Sequence, residues 1–159
     1  MDPLLRLVRD DASLSSAHLA SLLGIPEAEV VQKLKAYAQD RVILGYRALL
    51  NEEKLGQDIV RAAIEVKVTP ERGGGFDRLA NRISKYSEVE SCYLMSGGYD
   101  LLVIVVGTNL REVASFVSEK LSTIQGVLST STHFILKPYK EQGVLVSGVA
   151  TDERLPVTP

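Results

Sequence analysis

An α+β chain in two parts, a small helix-turn-helix followed by a sheet domain of order β-α-β-β-α-β, is predicted from three observations. Apolar residues in about the first 45 positions recur at helical spacing. From Arg41 the period shortens, and between Val60 and Val68 apolar and polar residues alternate as they do in a half-buried strand. The stretch SGGYDLLVIVV, Ser96 to Val106, sets a Gly-Gly pair, Tyr99 and Asp100 directly before the apolar run Leu101–Val106, which reads as a strand buried on both faces.

The elements follow in order. Leu4, Leu5, Leu7 and Val8 predict a short first helix. Ser15 or Ser16 caps a second, with Leu19, Leu22 and Leu23 on one stripe. Gly24-Ile25-Pro26 breaks the pattern, because Gly past one helix and Pro at the start of the next is the expected asymmetry of a turn. Val30, Leu34 and either Tyr37 or Ala38 then give a third helix its buried face. Val42 to Leu50 is mostly β-prone and reads as a strand after the helices, the wing of a helix-turn-helix domain, leading into polar Asn51-Glu52-Glu53-Lys54.

Beyond it, Val60, Ala62, Ile64, Val66 and Val68 form one side of the first sheet strand. Gly73-Gly74-Gly75 is a linker into a helix that buries Phe76, Leu79, Ala80 and Ile83. Val89–Met95 and Leu101–Val106 are the next strands, joined by the Gly-Gly turn. Leu110, Val113, Val117, Leu121 and Ile124 predict one amphipathic helix, and Val127–Lys137 a last strand with Leu128, Thr130, Thr132, Phe134 and Leu136 on one side. This order is the ferredoxin-like arrangement, both helices on one face of a four-stranded sheet. No charge lies on the last strand before Lys137 and the third is apolar throughout, so a second copy is expected to cover the open face. The expected domains are residues 1–45 (helix-turn-helix), 46–58 (strand and linker), 59–141 (sheet domain) and 142–159 (tail). The tail holds one strand-like run, Gly143-Val144-Leu145-Val146, which suits an extra edge strand, packing across a dimer, or a disordered end.

The bulk numbers exclude several classes. Of 159 residues 45% are apolar and 24% charged, and no apolar run approaches the roughly 20 residues of a membrane span. MDPLLRLVRDDASL lacks the basic start and long apolar core of a secretory signal, so a cytoplasmic protein is expected. One cysteine, Cys92, allows no internal disulfide or thiolate cluster and reads as a small core residue. His18 and His133 show no metal-ligand spacing; Gly73-Gly74-Gly75 lacks the Lys-Ser/Thr ending of a phosphate loop; Ser96 precedes a strand, not the helix of a nucleophile elbow. Neither catalytic residues, a metal nor a cofactor are predicted.

Two stretches carry a family resemblance. Ser96-Gly97-Gly98-Tyr99-Asp100-Leu101-Leu102, and Gln125-Gly126-Val127-Leu128-Ser129-Thr130-Ser131-Thr132 ending in Lys137-Pro138-Tyr139-Lys140, resemble the ligand-sensing domain of the leucine-responsive/asparagine-synthesis regulator (Lrp/AsnC) family. Leu19-Ala20, Gly24-Ile25, Val30, Leu34 and Val42-Ile43-Leu44-Gly45-Tyr46 fall at that family's positions upstream, so the likeness spans about residues 3–141. It implies a transcription regulator that binds double-stranded DNA, pairs into homodimers or octamers, and senses an amino acid or similar small effector. It also implies an effector pocket involving Gly98, Tyr99 and Asp100, with Thr130 and Thr132 from the last strand. Read on its own, the stretch favours Asp100 as a turn residue bonding its own backbone over a ligand-contacting edge.

For DNA the third helix supplies Gln32 as a base-edge candidate and Lys33, Lys35 and Arg41 as cations. Against them stand Glu27 and Glu29 in its first turn, which suit the helix dipole and repel phosphate. Residues 1–45 hold five basic and six acidic side chains, a net of −1, within a chain of net charge −2. Arg41 stands where the family commonly has Gly, so a left-handed cap there is expected to be uncomfortable. A rival reading follows, a non-enzymatic sensing or interaction protein whose helix-turn-helix has weakened or lost DNA binding.

Overall fold

The computed structural model describes residues 1–56, 58–70 and 75–146. Of the Gly73-Gly74-Gly75 linker the first two glycines, and of the tail residues 147–159, lie outside the described residues. The chain divides into two compact units, Met1–Leu49 and the remainder from Leu50.

The first unit holds α1 (Pro3–Asp10), α2 (Ser16–Leu23) and α3 (Glu27–Gln39). Each boundary has a chemical cause. Asp2 caps α1, its Oδ1 accepting the Leu4 N–H at 2.7 Å. The Ser15 hydroxyl accepts from the His18 N–H at the start of α2, and Gly24 ends that helix at φ +65°. Leu4, Val8, Leu19, Ala20 and Val30 form the buried core, with Leu23, Leu34 and Tyr37 packed against it. The Tyr37 hydroxyl donates to Asp2 Oδ2 at 2.8 Å and so pins α3 to the capped end of α1.

That bond, then the Leu4 N–H, holds the Asp2 carboxyl below its ordinary range, and Asp2 in turn raises Tyr37. A lowered folded-state pKa contributes stability above the ordinary aspartate value of about 3.9, and the contribution is lost as pH falls through the lowered value. Tyr37→Phe should therefore melt earlier than the parent at neutral pH, with the gap closing in acid. Melting curves across pH check this; a gap that widens in acid contradicts it.

Residues 42–50 differ from expectation. They form no strand: a strand needs a neighbour's N–H and C=O groups, and no segment of the described chain offers this stretch a ladder. Apart from half-buried Ile43, its large apolar side chains stay out, Leu44 at 81% exposure and Leu50 at 66%.

The second unit is one antiparallel sheet in the order β2-β3-β1-β4, built from β1 (Val60–Val68), β2 (Val89–Leu94), β3 (Leu101–Gly107) and β4 (Val127–Ile135). α4 (Asp77–Ile83) follows β1, and α5 (Leu110–Ser115) follows β3. Ala62, Ile64, Val66, Val68, Leu101, Val103 and Val105 are buried in one core with Leu79, Ile83, Val113, Phe116, Leu121 and Ile124 of the helical segments. On the opposite face Leu102, Ile104 and Val106 are only half-buried, so β3 is not covered on both sides within one chain.

Two further differences have physical causes. α5 is short and passes into a π-helical turn, Phe116–Leu121, whose wider repeat lets Val113, Phe116, Leu121 and Ile124 all reach the core; Leu110, expected inside, is 58% exposed. In β4 a register shift opposite Lys67/Val68 pairs Val127 with Val68 and Ser129 with Lys67, so Val127 joins the buried side while Leu128 is left 68% exposed. β4 stops at Ile135 rather than Lys137, ahead of Pro138, which has no N–H to give a ladder. Lys140–Glu141 (β5) and Val144–Leu145 (β6) then make a hairpin whose turn residues, Gln142 and Gly143, both take positive φ, the requirement of a tight two-residue turn.

Candidate functional site

Two sets of residues bear on function, one in each unit. In the first, α3 presents a face opposite buried Val30. With 3.6 residues per turn, about 100° per residue, that face carries Ala28, Gln32, Lys35, Ala36 and Gln39, all turned away from the core. The acidic first turn points elsewhere. Glu27 accepts the Ser16 hydroxyl of α2 at 2.5 Å, and Glu29 pairs with Lys33 at 3.1 Å on the flank. Lys33 is thus partly neutralised; its hydrogen bond to Glu29 raises its pKa and keeps it charged. Of the sequence candidates, Gln32 and Lys35 share the outward face and Lys33 does not. Small Ala28 and Ala36 allow close approach of the helix to a groove, and the two amides Gln32 and Gln39 can bond adenine edges in pairs. Ala28, Ala36 and Gln39 were missed by reading for charge alone; counting the spacing away from Val30 locates them.

Arg41 ends α3 in a left-handed conformation at φ +56°. The Val42 N–H reaches the Tyr37 carbonyl at 2.8 Å and the Arg41 N–H the Ala38 carbonyl at 3.2 Å, the paired bonds of a Schellman cap. The left-handed cap expected to be uncomfortable for Arg41 is kept, at a conformational cost of about 1 kcal/mol. The strain is held at a cation directly after α3. Arg41→Gly should raise thermal stability by a few tenths to about 1 kcal/mol while weakening DNA binding. Melting and binding measured on the same preparation check it; stability gained with affinity unchanged removes Arg41 from the interface.

In the second unit the Gly-Gly turn closes onto β1. The Met95 N–H donates to the Asp100 carbonyl at 2.8 Å, the Asp100 N–H to the Val66 carbonyl at 3.0 Å, and the Val68 N–H to Asp100 Oδ2 at 2.8 Å. Asp100 therefore supplies the acceptor where the β1 ladder shifts register. The Asp100 carboxylate does bond backbone, but that of β1, thirty-two residues away, rather than that of its own turn. The turn also offers a ligand edge, because nothing lies within 4 Å of where a Cβ on Gly97 or Gly98 would stand and Tyr99 is half-buried beside them. Thr130 pairs with Val66 from β4, while the Asp100 N–H donates to the Val66 carbonyl from the other side of β1. Thr130 Oγ1 lies 3.3 Å from Ser122 Oγ, and Thr132 stands two residues further along opposite Ile64. None of the three principal concavities among the described residues is lined by Gly98, Tyr99, Asp100, Thr130 or Thr132.

Among the described residues no group of three His, Cys, Asp or Glu side chains could hold a metal ion, and no helix is long and apolar enough to cross a membrane. Cys92 packs against the core and burial pushes its thiol pKa up, the opposite of what a nucleophile needs. His133 Nε2 lies 3.6 Å from Glu65 Oε1 on the open face of the sheet.

Residues 61–145 match the Lrp/AsnC ligand binding domain. The uncharacterized HTH-type transcriptional regulator YugG of Bacillus subtilis (strain 168) is 43% identical over 157 residues, 98% of this chain and 95% of that protein. The proline dehydrogenase transcriptional activator of Rhizobium radiobacter is 30% identical over 141 residues, 89% of this chain and 90% of the activator. In fold the chain is similar to the transcriptional regulator NMB0573 of Neisseria meningitidis, solved with L-Met, at TM-score 0.69 and 23% identity, covering 91% of this chain and 96% of that one.

Proposed function

This chain belongs to the Lrp/AsnC family, and on that footing we propose that it is a DNA-binding transcription regulator whose sheet domain senses an amino acid or a similar small molecule. The observation that carries the DNA half is the outward face of α3, which has amides, alanines and one lysine and no carboxylate. Glu27 and Glu29, the strongest argument for a lost DNA function, are held by Ser16 and Lys33. Gln32, Lys35 and Arg41 are its contact residues, with Lys33 contributing less.

The sensing half rests on the Gly98-Tyr99-Asp100 turn and Thr130, with Thr132 behind. A carboxylate and open glycine N–H groups suit the two charged ends of an amino acid. A single chain leaves this edge open, so the pocket is completed by another copy. Half-buried Leu102, Ile104 and Val106 on the open face of the sheet give that copy a surface to cover. The working species is a homodimer or a larger ring such as an octamer, in the cytoplasm, carrying no reaction of its own. Several weak heads on one assembly offset the net −1 of the helix-turn-helix by multivalency.

The test is capture of sheared genomic DNA by the purified chain, with and without a mixture of the common amino acids. Enrichment of a defined set of fragments, altered by the mixture, is expected. A folded oligomer that enriches nothing supports the second reading, a sensing protein with its helix-turn-helix kept as scaffold, whose motivating observation is the acidic balance of residues 1–45.

A further inference from the structure

The open face of the sheet is not wholly apolar. Arg61, Glu65 and Lys67 of β1 alternate with buried Ala62, Ile64 and Val66 and lie opposite Ile135, Ser131 and Ser129 of β4, while His133 lies opposite Ala63. His133 Nε2 stands 3.6 Å from Glu65 Oε1 and 3.3 Å from Ser131 Oγ. On the reading above that this face meets a second copy of the chain, we propose that the His133 and Glu65 pair makes the assembly sensitive to pH, the copies holding together more tightly as pH falls from about 8 to about 6.

The other charges around His133 leave Glu65 to it. Arg61 Nη2 donates to Glu52 Oε1 at 2.7 Å and its Nε lies 3.2 Å from Glu90 Oε2, so one guanidinium already meets two carboxylates. Lys137, past the end of β4, has its Nζ 5.7 Å from the centre of the Tyr139 ring. Among the described residues Glu65 has its ion pair with His133, and Lys67, two positions along β1, has none. From β3 this face receives Leu102, Ile104 and Val106, which bring no charge, and β4 is an edge strand with no further strand beyond it. Glu53 and Glu141, which share a cavity with Ile135, are acidic and favour a protonated imidazole as well.

In one chain the pair contributes little, because the His133 and Glu65 side chains are 58% and 39% exposed and water screens them. A second copy removes that water. With His133 neutral, covering the face takes the Glu65 carboxylate out of water without a cation, which is costly. With His133 protonated, the carboxylate keeps a partner whose attraction grows as the local dielectric falls. Protonation and association therefore favour each other. Histidine changes charge between about pH 5 and 8, so the added hold is present in mild acid and is lost as pH rises.

Sedimentation of the full chain over a dilution series, at constant ionic strength, tests this at about pH 6 and about pH 8. Association should be about tenfold or more tighter at the lower pH, since each copy brings one such pair. His133→Gln should associate at both values as the parent does at the higher one. Glu65→Gln should lose the dependence too, yet hold at least as tightly as the parent at the higher pH, because the carboxylate left unpaired on covering is gone. His18→Gln, at the other histidine of the chain, in α2, should keep the parent's dependence. Where the copies stay together at every dilution, exchange of subunits between two dye-labelled preparations reads the same effect as a rate, slower in acid. The proposal is overturned, and the covered face left standing, if the parent associates equally at both pH values, if His133→Gln keeps the dependence, or if His18→Gln removes it. A folded chain that stays monomeric at both values overturns the covered face and the pH device together.

Discussion

Lys35→Ala should weaken binding to duplex DNA of every sequence, and should reduce the slope of log affinity against log salt by about one for each head engaged on the DNA. The expectation follows from position. Lys35 is the cation on the α3 face opposite Val30 and pairs with no carboxylate among the described residues, whereas Lys33 is drawn aside by Glu29. A lysine that neutralises a phosphate releases a counterion, so its loss appears in the salt dependence more clearly than at any single salt concentration. Lys33→Ala should do less, since it removes a partly neutralised charge and unpairs Glu29. Gln32→Ala should behave differently again, lowering affinity for the best site while leaving non-specific binding and the salt slope alone. If Lys35→Ala leaves the slope unchanged, the DNA is held by another surface.

Asp100 separates a structural from a ligand role. Asp100→Ala leaves the Val68 N–H without its acceptor at the end of β1, which should cost about 1–3 kcal/mol and lower the melting temperature. Asp100→Asn keeps an oxygen for that N–H and removes the charge. It should recover most of the stability yet still blunt the effect of amino acids on DNA binding, because a carboxylate is what an α-ammonium pairs with. Calorimetry with the effective amino acid reads the second quantity directly. An Asp100→Asn variant that responds as the parent does confines Asp100 to its backbone role.

The parts of the fold legible in the sequence were those whose cause is local. Gly24 and Pro26 mark the turn between α2 and α3 through their own φ preferences, and the alternation from Val60 to Val68 states which side of β1 is buried. What was not legible depends on residues far apart or on a partner. The register shift opposite Lys67/Val68 inverts Val127 against the alternation of β4, because it is set by pairing with β1. The π-helical turn at Phe116–Leu121 answers to the core beneath it rather than to helix propensity. Residues 42–50 have strand composition and no ladder, since pairing is a property of two segments.

The candidate sites divide in the same way. Cations and the Gly-Gly-Tyr-Asp turn stand out as residue types, but charge counting does not reveal that Glu27 accepts the hydroxyl of Ser16, eleven positions away in α2. Arg41 was expected to make a left-handed cap uncomfortable, and it adopts that conformation all the same.

The most direct test of a ligand-gated DNA-binding regulator is fluorescence anisotropy of the purified chain against a labelled fragment of its own upstream DNA, titrated with salt and repeated with amino acids. Tight binding that falls steeply with salt and shifts when amino acids are added is the predicted result. A folded, oligomeric protein that leaves the fragment unbound at low salt, with or without amino acids, contradicts it.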